Sequence, residues 1–74
     1  MKEPDKLVLL EIYEKTSANC FLSIYGLNET LGISIFMIRN IVENLKSKGF
    51  VLEPEEDYFE ISDKGLNFCK TQWL

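Results

Sequence analysis

Between Leu31 and Ile35 the chain ends one helix and starts another. Gly32 supplies the residue that leaves a helix through a left-handed backbone, and two positions later Ser34 supplies a hydroxyl that caps the next. Helices joined this tightly must cross, so their apolar faces meet at a corner. Upstream, Ser23 offers a cap for a helix from Ile24 to Leu31. Downstream, Ile38, Ile41, Val42 and Leu45 recur at i, i+3, i+4 and i+7 on one stripe before Gly49 stops the helix. Leu27 and Leu31 must then meet Ile38 and Val42, with Ile33 plugging the corner beneath the turn. Asn28 stands where a small residue is usual at such a crossing. Either the helices splay there or the amide finds a partner, because a buried unpaired amide costs on the order of 1–3 kcal/mol.

The remaining segments attach to this corner. Pro4 and Asp5 open a helix over Lys6 to Thr16, in which Leu9, Ile12 and Tyr13 recur at helical spacing and Leu7, Val8 and Leu10 widen the apolar face. Ser17, Ala18 and Asn19 read as a turn, and Cys20, Phe21 and Leu22 as a very short strand. Phe50 to Leu52 and Tyr58 to Ile61 read as two β-runs around Pro54, Glu55, Glu56 and Asp57, which predicts a hairpin. Ser62 or Asp63 caps a last helix with Leu66, Cys69 and Trp73 on one face, Phe68 on the opposite side and Leu74 at an edge. The expected fold is mostly α with a small β-hairpin. Its order is helix, short strand, helix, helix, strand, strand, helix, in one domain over residues 1–74.

This order is that of a winged helix-turn-helix. The stretch from Leu22 to Val51, L-S-I-Y-G-L-N-E-T-L-G-I-S-I-F-M-I-R-N-I-V-E-N-L-K-S-K-G-F-V, resembles without a gap the MarR-like and related archaeal winged-helix transcriptional regulators. Their pattern has a hydroxyl cap, L-G-I/L-S at the turn and L-x-x-x-G-F/L-V at the exit of the third helix. The run from Tyr58 to Gly65, Y-F-E-I-S-D-K-G, is similar to the strand-to-helix ending Y-x-L-T-x-K-G common after the wing. The resemblance implies a DNA-binding regulator that inserts its third helix, about residues 34–48, in the major groove, and that dimerises through its terminal helices.

Composition narrows the chemistry. Seventy-four residues with 46% hydrophobic and 27% charged side chains suit one small soluble domain with a modest core, for which an oligomer would add stability. The chain contains no histidine, and Cys20 and Cys69 have no CxxC spacing, which removes the common zinc sets, His-based triads and Cys-His dyads. The two cysteines are expected as small buried thiols of a cytoplasmic protein, a single disulfide being the alternative. No metal or cofactor is expected, because the glycines are isolated and form no phosphate-cradling loop. No catalysis is expected either, since Tyr13, Tyr25 and Tyr58 have no base at readable spacing. The apolar runs are too short for a membrane span.

The expected functional face is the side of the third helix opposite its core stripe. Arg39 and Asn40 carry forked groups that match base edges or phosphates, and Lys46 and Lys48 add charge, so these four are the candidate DNA-binding residues. Two departures from the resembling regulators stand against this. Ile35 and Phe36 occupy the helix start, where those proteins present Lys, Ser or Thr. From Val51 to Asp63 there are also six carboxylates and no cation, where a DNA-contacting wing carries Arg or Lys. Phe36 either packs within the chain, meets a protein partner or touches a thymine methyl. The alternative function is therefore a protein-interaction module that uses Phe36 and the acidic hairpin without binding DNA. Separately, Phe68 on the last helix is the candidate contact of a homodimer formed through the terminal helices. A continuous basic strip from Arg39 through Lys46 and Lys48 would favour duplex DNA, and an apolar patch around Ile35 and Phe36 would favour a protein.

Overall fold

The computed structural model of the chain describes residues 2–17 and 22–73. It consists of α1 (Glu3–Ser17), β1 (Leu22–Ser23), α2 (Ile24–Leu31), α3 (Ile35–Ser47), β2 (Val51–Glu55), β3 (Tyr58–Ile61) and α4 (Asp63–Gln72). The three strands form one antiparallel sheet in the order β1-β3-β2, a winged-helix-like layout. Ser17, expected in a turn, is instead the last residue of α1; the rest of that turn, Ala18 and Asn19, the strand positions Cys20 and Phe21, and Leu74 lie outside the described residues.

The caps act as their side chains dictate. The Ser23 hydroxyl accepts from the Gly26 N–H at 3.0 Å and the Ser34 hydroxyl from the Met37 N–H at 3.2 Å, each satisfying a first-turn donor. Gly32 adopts φ 69° and its N–H closes α2 on the Asn28 carbonyl at 2.9 Å. Gly49, at φ 81°, ends α3 by a double closure in which its own N–H reaches the Lys46 carbonyl and the Phe50 N–H reaches that of Leu45. The Asn28 amide donates to the Ile33 carbonyl at 2.7 Å, so the polar residue at the crossing has a partner.

α1 begins at Glu3, three residues before the expected start. Pro4 is compatible with a first helical turn, where its missing N–H would be unbonded anyway, and Glu3 and Asp5 sit favourably at the helix N-terminus. The core gathers Val8, Leu9 and Ile12 of α1, Leu22 of β1, Ile24 and Leu27 of α2, Ile38, Ile41, Val42 and Leu45 of α3, and Val51, Phe59 and Cys69. Leu31 and Ile33 are half-buried against it.

The hairpin differs from expectation. β2 continues through Pro54 to Glu55, and only Glu56 and Asp57 form the turn. The register shifts between Leu52 and Glu55, placing Glu53 and Pro54 in a bulge where a residue without an N–H is tolerated. Asp57 takes φ 66°, a conformation that Asp adopts more readily than most residues.

α4 is capped by Ser62, whose hydroxyl accepts from the Gly65 N–H at 3.0 Å. Gly65 lies so close to Phe50, the residue before β2, that a Cβ there would clash with the Phe50 carbonyl oxygen. Phe68 does not point away from the core as expected. It stacks on Phe50 with ring centroids 4.6 Å apart and meets Trp73 edge-on at 5.2 Å. A half-buried aromatic one position from Cys69 can lean over the helix shoulder to reach Phe50, which helical spacing alone does not show. Burial pushes the Cys69 thiol pKa up, which keeps it protonated.

Candidate interaction surface on α3 and the hairpin

Arg39, Glu43 and Lys46 recur at i, i+4 and i+7 and line the flank of α3 that faces the hairpin. Arg39 Nη1 reaches Glu43 Oε1 at 3.3 Å and Glu53 Oε1 at 3.2 Å, and Nη2 is paired with Asp57 Oδ1. Its guanidinium carbon lies 5.6 Å from the centroid of the buried Phe59 ring. Lys46 Nζ reaches Glu53 Oε1 at 2.8 Å and Glu43 Oε1 at 3.6 Å. Glu53 is the hub, its side chain only 12% exposed, and its second oxygen accepts the Asp57 backbone N–H at 2.7 Å.

These contacts set the protonation states. The Lys46 hydrogen bond holds the Glu53 carboxyl down at about 2 against the opposing effect of burial, helped by the Asp57 N–H and by Arg39. The same hydrogen bond raises the Lys46 pKa. Burial works against the Arg39 charge, but the carboxylates of Glu53, Glu43 and Asp57 outweigh it and raise the Arg39 pKa. The bulge at Pro54 and the left-handed Asp57 aim Glu53 and Asp57 at α3, so part of the acidic stretch is spent inside the chain rather than in solvent.

The four expected DNA-binding residues divide into two groups. Arg39 and Lys46 are brought together on the hairpin flank through Glu53. Asn40 and Lys48 lie on the other side, where they line a shallow depression with Lys2, Asp5, Ile41 and Asn44. Lys48 is roughly two and a half helical turns from Arg39, on the opposite flank of α3. The two cations nearest the hairpin are neutralised and the third is turned away, so no continuous basic strip forms along these residues.

The start of α3 is different. Phe36 is 80% exposed, and its neighbours Ile35 and Met37 are exposed as well. At helical spacing the three side chains fan around the first turn, so the rim at that end of α3 is apolar. Ile35 and Phe36 stand four and three residues before Arg39 and so adjoin it on the helix surface. The Ile24 N–H donates to the Asp57 carbonyl at 2.8 Å, tying the hairpin turn to the first residue of α2. Tyr25, the next residue, is 62% exposed. Phe68, the other expected partner contact, is occupied within the chain by Phe50 and Trp73.

Sequence reasoning missed Glu53 and Asp57 as partners of α3 and missed Tyr25 as an exposed residue, whereas Met37 falls on the outward side of α3 as its spacing implies. A usable signal was present in the Arg39, Glu43, Lys46 stripe, followed by a hairpin that has only carboxylates to offer it. Among the described residues, no buried side-chain nitrogen or oxygen lacks a partner, and no helix is long and apolar enough to cross a membrane. In comparisons with known proteins, the chain matches no family model, no curated protein and no solved structure.

Proposed function

We propose that this chain is a protein-interaction module on a winged-helix scaffold, docking a partner protein on the start of α3 around Phe36. The observation that carries this reading is an 80% exposed phenylalanine inside an apolar rim, beside a hairpin whose carboxylates already hold Arg39 and Lys46. Fully burying such a side chain is worth about 1.5–3 kcal/mol, and the fold leaves that stabilisation unused. Duplex DNA approaching the same face would meet Glu43 and the exposed Glu55 and Glu56 before any free cation. The reading includes no catalysis.

The experiment is site-specific photo-crosslinking from position 36 in cells that express the chain, with position 47 on the same helix as control. A discrete protein adduct formed from position 36 alone is expected. Adducts of equal yield from both positions, or none, would count against the reading. A second reading, a transcriptional regulator that inserts α3 in the major groove, is favoured by the exposed Asn40 and Lys48 beside Lys2. It requires affinity for duplex DNA that falls steeply with salt and weakens in Lys48→Ala.

A further inference from the structure

We infer that the partner presents a cationic and partly apolar segment, its arginine or lysine side chains seated at the hairpin turn and its apolar side chains on the rim of α3. This rests on the interaction reading above and names the chemistry that the surface selects.

Two contacts fix where the hairpin turn sits. Asp57 is paired with Arg39, one turn into α3, and its carbonyl accepts from the first residue of α2. Phe36 and Tyr25 therefore stand on the two helices that the turn touches, each close in sequence to its anchoring residue. At the end of β2 and in the turn, Glu55 and Glu56 are exposed and have no ion pair among the described residues, because Arg39 and Lys46 are engaged by Glu53, Asp57 and Glu43. The surface thus combines aromatic rings with uncompensated carboxylates.

That combination suits a cation with a flat or long apolar stem. A guanidinium donates two parallel hydrogen bonds to a carboxylate and stacks on a ring, and a lysine stem covers apolar surface while its ammonium stays in water. A second copy of this chain fits poorly, since a two-fold contact here would set Glu55 and Glu56 against their own equivalents. A polyanion is repelled for the same reason.

The test is fluorescence anisotropy with three labelled probes: a synthetic peptide alternating arginine and leucine, the same peptide with glutamate for arginine, and a mixed-sequence DNA duplex. The arginine peptide should bind, more weakly as salt rises, and the other two should not. The double variant Glu55→Gln/Glu56→Gln should weaken it roughly 3- to 10-fold, the range for losing two exposed charge pairs. Phe36→Ala should weaken it about tenfold. A charge-matched control on the exposed side of α1, Glu3→Gln/Glu14→Gln, should change nothing, which separates a defined seat from general attraction to an acidic protein. All these side chains are exposed, and unchanged thermal melts will show that each variant folds. If the peptide fails to bind, or binds the hairpin variant as it binds wild type, the inference is overturned while the crosslinking result still judges the interaction reading. Tighter binding to the duplex, unchanged by Phe36→Ala, overturns both.

Discussion

Glu53 shows how one side chain can change the meaning of a charged stretch. Counted in sequence it is one carboxylate among many, but in the fold it gathers Lys46, Arg39 and the Asp57 amide. Its pKa is lowered from 4.5 to about 2, so the folded state binds its proton less readily than the unfolded chain does. The stability it contributes is therefore complete above about pH 4.5 and is lost as pH falls toward 2. Urea unfolding of wild type and Glu53→Gln should give a wild-type advantage that is level from pH 6 to about pH 4.5 and then shrinks toward pH 2. An advantage independent of pH would contradict the ion-pair account. Asn28 and Arg39 mark what was legible at this scale. The need of the Asn28 amide for a partner followed from its place at a helix crossing, and the partner is five residues away. The partners of Arg39 on the hairpin lie 14 and 18 residues away, across a bulge that no local pattern announces.

At the scale of elements, caps and glycine exits delivered the boundaries of α2 and α3, because each signal acts within four residues of itself. The start of α1 and the hairpin turn were misplaced for a shared reason. Proline was read as a break in both, whereas it sits in a first helical turn at Pro4 and in a strand bulge at Pro54. α3 is held by its buried stripe, so Leu45→Ala should cost about 2–5 kcal/mol in chemical denaturation. The seat of α4 depends on a missing side chain. Gly65→Ala would gain helix propensity, yet its Cβ would meet a backbone oxygen that cannot rotate away. The expected net effect is destabilisation by about 1–3 kcal/mol or more, read as a lower melting temperature. A melting temperature equal to or above wild type would show that α4 can shift away from Phe50.

For the whole molecule the division of labour is spatial. Core residues from every element meet at one centre, and the most exposed of the large apolar side chains, Phe36 and Tyr25, stand at the starts of α3 and α2. Phe36→Ser should therefore leave thermodynamic stability within about 0.5 kcal/mol of wild type, as expected for a surface site, even where it abolishes partner binding. A larger loss would place Phe36 in the fold after all. The helix-turn-helix corner and the core were readable because hydrophobic periodicity is a local code. The candidate surface was only half readable: Phe36 declared itself by standing opposite a core stripe. The neutralisation of Arg39 and Lys46 depended on how the hairpin lies across α3.

The hydrogen bond from the Ile24 N–H to the Asp57 carbonyl makes the first amide of α2 a reporter on the hairpin. Whenever the turn lifts from the helices, this proton loses its acceptor and becomes available to solvent, so its exchange rate with deuterium measures how often the hairpin opens. A ligand that grips the turn should slow exchange at Ile24 while leaving the Gly26 amide, protected by Ser23 within α2's own cap, nearly unchanged. One backbone proton on α2, followed by NMR, would thus report the opening of a hairpin distant in sequence.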